Sequence, residues 1–232
     1  MMGRVQLTTL RRAASLASAP EPLLPARLRQ LAAVLLAACV AVPVVLAVHF
    51  VGRGQPGWLD SAIDPRIIDH WSSSALNQFL PRVGRLKPVA LMTLALVVVR
   101  VATRRWSGAV LAAVAVPAAT GLTEYVLKPY VGGPLDAAFP SGHATGMFAL
   151  AAVCAVLLAR PPRLRVPGAV RLLLVFMALT LAASVAVTMI AIGAHTFTEA
   201  LAGAAVGTGL ALACALALDL VTSSARRVLA PE

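Results

Sequence analysis

The sequence predicts an all-α, polytopic membrane protein: a six-transmembrane-helix bundle with both termini cytoplasmic. Three observations carry that expectation. Of the 232 residues, 59% are hydrophobic and only 12% charged, with a mean hydropathy of +0.86, whereas a soluble domain carries about 25% charged residues. Apolar runs long enough to cross a ~30 Å hydrocarbon core recur along the chain. Polar side chains gather in short turns between those runs and are scarce within them. The length accommodates one compact helical domain.

Residues 1–29 are rich in Arg, Pro and Ala, show no periodicity and read as a basic cytoplasmic tail. The apolar run that follows is too long for the h-region of a signal peptide and lacks a convincing cleavage site. A membrane domain is expected over 30–221, with spans at about 31–51, 86–103, 107–127, 143–160, 171–191 and 198–220. Residues 222–232 form a short second cytoplasmic tail. The one long connection, 52–85, holds Pro56, Pro65 and Pro81 as breakers and a short interfacial helix within Ile67 to Leu80. Trp58 and Trp71 fit the headgroup level, where amphipathic rings collect.

Cys39, Cys154 and Cys214 all fall inside apolar runs. They read as small apolar residues of a helix bundle, with no disulfide framework and no metal-ligand spacing. The formal charge of +11 does not indicate nucleic acid, because the arginines sit in short loops beside spans, where they set topology and meet anionic lipid. Five lie in the first tail (Arg4, Arg11, Arg12, Arg27, Arg29), two after the last span (Arg226, Arg227), three in the second loop (Arg100, Arg104, Arg105) and four around the fourth (Arg160, Arg163, Arg165, Arg171). Fourteen of the twenty Lys and Arg therefore share one side, which is expected to be cytoplasmic.

Two polar turns then face outward together: Phe139-Pro140-Ser141-Gly142-His143 and Gly193-Ala194-His195-Thr196-Phe197-Thr198-Glu199. Ionisable side chains at membrane depth are costly and commonly functional. Ser141 is placed to cap the fourth span, leaving backbone N–H groups at the positive end of a helix as an anion site. Gly142 lets a phosphate approach the backbone, and His143 stands at its edge as a proton donor. The alternative is a Pro-Ser-Gly turn that only starts a helix.

His195 and Glu199 are four apart and share a helical face. A carboxylate on one imidazole nitrogen fixes the tautomer and leaves the other nitrogen nucleophilic. Thr196-Phe197-Thr198-Glu199 equally fits a capping box opening the sixth span. Lys128, four residues after Glu124, is a phosphate-binding candidate or half of a local ion pair. Gly203 and Gly207 form GxxxG, a close-packing signal. A zinc site from His143, His195 and Glu199 lacks a compact ligand motif. His49, His70 and Asp219 lie near span ends and read as interfacial.

Together these residues resemble the type 2 phosphatidic acid phosphatase and vanadium haloperoxidase superfamily, over about residues 85–220. Its membrane members have six spans and a signature of lysine, six residues, Arg-Pro; then Pro-Ser-Gly-His; then Ser-Arg, five residues, His, three residues, Asp. The resemblance implies His195 as the nucleophile that forms a phosphohistidine, Glu199 as its orienting carboxylate and His143 as general acid. It further implies Lys128, Ser141 and Gly142 as phosphate-binding residues, no metal or other cofactor, and a membrane lipid phosphate as substrate. Two signature arginines are replaced, by Leu135 and Met189, and the signature aspartate by Glu199.

Phosphoryl transfer is mainly positioning and charge stabilisation, with arginine forks as common clamps. Arg53, Arg66, Arg82, Arg85 and Lys87 all lie on the outward side as candidate substitutes. The leading expectation is an outward-facing lipid-phosphate phosphohydrolase of the cell membrane, of phosphatidic acid or polyprenyl (di)phosphate type. The absent arginines support a second: a relative of low turnover that binds lipid phosphate or serves as a subunit of an envelope-assembly complex. A small transporter fits less well, since its spans would need polar residues at midplane. The pattern leaves lipid identity and oligomeric state open.

Overall fold

The computed structural model describes residues 22–50, 57–131, 139–159 and 166–229. Most of the predicted first tail, together with Arg53, Pro56, Leu135, Arg160, Arg163 and Arg165, lies outside those residues. The described elements are helical throughout: α1 (Ala26–Phe50), α2 (Trp58–Trp71), α3 (Leu76–Val83), α4 (Leu86–Ala102), α5 (Trp106–Gly121), α6 (Gly142–Ala159), α7 (Gly168–Ala191) and α8 (Phe197–Leu229). No strand occurs among the described residues.

Among the described residues, five helical stretches are long and apolar enough to cross a membrane: Ala26–Val48, Trp106–Val131, Gly142–Ala159, Gly168–Ala191 and Phe197–Ser224. The run predicted as the second span is α4, a helix of 17 residues, roughly 26 Å long at about 1.5 Å per residue.

The core is rich in alanine. Ala112, Ala115, Ala119, Ala149, Ala182, Ala211 and Ala215 are fully enclosed, while Val34, Val45, Val48, Leu91, Leu172 and Phe176 point outward. Many alanines inside and large apolar side chains outside is the membrane pattern, since lipid accepts the branched side chains and helices gain by close backbone approach. Helix α6 is the most enclosed, and α8 packs along its whole length, with α5 and α7 on its other sides. Helix α1 lies outermost against α8, where Cys39 meets Gly209.

The long connection differs from its expected form. Two helices stand where one short helix was expected, and α2 begins at Trp58 and runs straight through Pro65. Pro81 likewise sits inside α3. Each proline removes one backbone bond, which a surface helix with its freed carbonyl exposed tolerates. The break falls instead at the serines after Trp71, where Asn77 Nδ2 donates to the carbonyls of Trp71 (2.6 Å) and Ser72 (2.9 Å) and closes α2. Asp219, near the end of α8, has a structural task. It is buried, accepts the N–H groups of Leu23 and Leu24, and stands 3.4 Å from Arg29 Nε, tying the start of α1 to the far end of α8.

Candidate functional site

The helices alternate in direction, so the first turns of α6 and α8 meet at one end of the bundle with the end of α5 and the turn between α3 and α4. Ser141 is buried and caps α6, its Oγ accepting Ala144 N–H at 3.4 Å. Its carbonyl accepts both Thr145 N–H and Thr145 Oγ1–H at 2.9 Å, and Thr145 Oγ1 accepts from Thr123 Oγ1 on α5's continuation at 3.1 Å. The amide of Ser141 donates to the Glu199 carbonyl at 3.0 Å. The two turns are therefore joined backbone to backbone. The GxxxG of α8 permits this: a Cβ at Gly203 would collide with the Ser141 carbonyl, and one at Gly207 with the Thr145 carbonyl.

His195 Nδ1 lies 2.8 Å from Glu199 Oε2, and both side chains are buried. The same Oε2 accepts Thr196 N–H at 3.3 Å, while Thr196 Oγ1 accepts Glu199 N–H at 3.4 Å. The capping box and the His–carboxylate pair are thus one arrangement, and the two readings of Glu199 do not compete. A carboxylate at Nδ1 makes that nitrogen the proton carrier and leaves the Nε2 lone pair free. The chain reaches this geometry by a reversal after α7. Gly193 takes φ +69°, a region that suits glycine, and the Met189 carbonyl accepts the N–H groups of Ala194 (3.0 Å) and His195 (3.2 Å). Met189 itself is core. Its position serves the bundle and offers no charge to the site.

The His143 and His195 rings stand 6.3 Å apart, centroid to centroid, inclined at 60°. They neither stack nor bond, which leaves an intervening gap of the scale that a reacting group held ~3–3.5 Å from its nucleophile requires. Beside them α5 widens into a π-helical turn, Leu122–Leu127, a distortion frequent at functional sites. It carries Glu124 and Lys128 over the start of α6, where Lys128 Nζ meets Glu124 Oε1 at 2.6 Å. Gly142 lies directly beneath that pair: a Cβ there would strike Glu124 Oε1 and stand 3.4 Å from Lys128 Nζ. The structure accordingly brings Lys128, Ser141, Gly142, His143, His195 and Glu199 to one place. Among the described residues, no group of three His, Cys, Asp or Glu side chains converges as a metal ligand set.

The sequence model of the PAP2 superfamily matches residues 28–222, most of the chain. The chain belongs to the PAP2 superfamily. Membership points to a phosphatase-type function. No protein of curated function and no solved structure matches it.

Two carboxylates outside the superfamily signature also reach this site. Asp60 of α2 is buried and accepts Thr198 N–H at 2.8 Å and Thr198 Oγ1–H at 2.9 Å, while its Oδ2 also takes the Gly57 amide at 3.1 Å. Asp64, one turn on, accepts Phe197 N–H at 2.9 Å. Together they occupy the first-turn donors of α8, where negative charge also suits the helix dipole, and so brace the turn that holds His195 and Glu199. Sequence reading passed over them. Their signal is two acids four apart in a chain with only nine Asp and Glu.

Burial pushes the Asp64 carboxyl up to about 6, against the pull of the Phe197 N–H and with help from the charges of Asp60 and Glu199. Between its ordinary 3.8 and 6 the folded protein therefore holds a proton that the unfolded chain has released, and folding loses stability as pH rises through that window. Asp64→Asn keeps an acceptor for Phe197 but cannot ionise. Melting midpoints in detergent across pH 3.8 to 6 are expected to show wild type losing ground to this variant as pH rises, then a constant gap above. A gap moving the opposite way would mean a depressed carboxyl.

Proposed function

We propose that the protein is a membrane lipid-phosphate phosphohydrolase, of phosphatidic acid or polyprenyl (di)phosphate type, working through a phosphohistidine. The observation that carries this is the buried His195–Glu199 pair at 2.8 Å with His143 facing it across 6.3 Å. In the proposed cycle His195 Nε2 attacks phosphorus as the bond from phosphorus to the lipid oxygen breaks, and His143, holding a proton against the bound phosphate anion, gives it to that oxygen. Glu199 holds the imidazolium that His195 becomes. Water then attacks the phosphohistidine, His143 takes its proton, and inorganic phosphate leaves with His195 restored. Lys128, Gly142 and the open end of α6 supply positive potential for the phosphate. The cycle uses no cofactor.

In this reading the bundle has six spans, with α4 as the second at the lower limit of ~17–25 residues. Both termini lie in the cytoplasm, and the site faces the exterior or periplasm of a cell membrane. The substrate's phosphate sits at headgroup level and its tail in lipid. One observation favours a second reading. Met189 is core where the signature has arginine, which suits a relative that binds lipid phosphate with little turnover, or a subunit of an envelope-assembly complex.

The test is phosphate release by detergent-purified protein on phosphatidic acid, phosphatidylglycerol phosphate, and polyprenyl mono- and diphosphates, with and without chelator. Chelator-resistant release from at least one lipid is expected. No release from any of them would move the assignment to the second reading.

A further inference from the structure

With Leu135 and Met189 at the positions of the signature arginines, the site needs positive charge from elsewhere. Lys128 shares its charge with Glu124 at 2.6 Å, and a phosphate with two negative charges calls for more than that lysine and the end of one helix. A further cation is supplied from outside the signature. The turn between α3 and α4 packs against the site so closely that a Cβ at Gly84 would stand 3.0 Å from His143 Cδ2, and Gly84 is buried there. Arg85 follows immediately, with extended backbone at φ −66°, ψ 156°, as the residue that opens α4. Its side chain is exposed and enters none of the ion pairs among the described residues. Beside His195, the ionisable groups whose fields act on the His143 ring are Lys128, Arg85 and Glu124. Arg82, on the same short helix, is equally exposed but is not among them.

Resting on the phosphohydrolase reading, we propose that Arg85 is the guanidinium that clamps the phosphate oxyanion beside His143, in place of the signature arginines. The placement makes chemical sense. Glycine at 84 lets the backbone come up to the imidazole, and a guanidinium one residue later offers a fork of donors to an anion held between His143 and Lys128. The ligand is a phosphate monoester or another tetrahedral oxoanion. Its source is either a lipid headgroup or a soluble phosphate ester.

The full chain in detergent tests this with tungstate as probe, followed by tryptophan fluorescence, and with phosphate release measured in parallel. Arg85→Ala is expected to weaken tungstate binding by ~10-fold or more, the usual scale for a hydrogen bond to a charged group, and to raise KM. Arg85→Lys should restore part of the loss. Arg82→Ala should stay within about twofold of wild type, because an unpaired surface charge acts only through screened potential. Phosphatidic acid in mixed micelles and glycerol 3-phosphate in solution are then set to displace tungstate. Displacement by micelles alone assigns a lipid headgroup and displacement by both assigns phosphate esters generally, and in either case Arg85→Ala weakens it.

The proposal is overturned if Arg85→Ala binds tungstate as wild type does, if Arg82→Ala loses as much, or if wild type binds none. Arg85-dependent tungstate binding without His195-dependent release would keep the clamp and remove the enzyme. His195-dependent release unchanged in Arg85→Ala would keep the enzyme and remove the clamp.

Discussion

His195→Ala is expected to lower phosphate release by ~10³-fold or more, because in the proposed cycle it removes the nucleophile and with it the covalent route. His143→Ala should cost ~10²–10⁴-fold on a lipid substrate, the range of a general acid. The two losses should part company when the leaving group changes. A lipid alkoxide is a poor leaving group and needs the His143 proton. A nitrophenolate leaves without one, so His143→Ala should recover much of its rate on a nitrophenyl phosphate while His195→Ala should not. Both variants should remain folded, with a lower melting midpoint in His195→Ala, where the buried Glu199 carboxyl loses its imidazole partner. Equal losses on both substrates would strip His143 of its role as acid. Full activity in His195→Ala would end the phosphohistidine mechanism.

Much of this site was legible because its spacings are local. His195 and Glu199 lie four apart, Thr196 and Glu199 three apart, and a helix turns both intervals into contacts (2.8 and 3.3 Å). The Pro-Ser-Gly-His turn announces a capped helix in the same way. Five of the expected spans were legible for a different reason: an apolar run of sufficient length has few other homes. What remained hidden depends on pairings across the chain. Asp60 meets Thr198 across 138 positions, and no local pattern in 52–85 predicts that contact. The prolines there misled because a breaker rule describes isolated helices. Pro65 costs α2 one backbone bond, while Asp60 and Asp64 on the same helix gain three bonds to the start of α8. Arg85 could be named as one of several outward cations, but only the packing of Gly84 against His143 separates it from Arg82.

Gly207→Leu should abolish the folded bundle, and Gly207→Ala should already cost ~1–3 kcal/mol, the scale of overpacking a tight core. At Gly207 a Cβ would meet the Thr145 carbonyl oxygen, with Ala149 N at 2.8 Å and the Thr145 carbonyl carbon at 3.1 Å. All three are backbone atoms of α6, so no side chain can swing aside, and α6 and α8 must part. Separation acts on the chemistry directly. Ser141 N–H reaches the Glu199 carbonyl only while these helices touch, and that contact carries the Pro-Ser-Gly-His turn to the His195 turn. Gly121→Ala is the contrast, because nothing lies within 4 Å of a Cβ there, and a helix-interior alanine should match or slightly raise stability. Melting midpoints and phosphate release, measured together, separate the causes. Gly207→Ala should lose both, Gly121→Ala neither, and His195→Ala chiefly release. A Gly207→Ala protein that melts as wild type does would mean that the two helices are not packed at this register, and the shared site built on that register would fall with it.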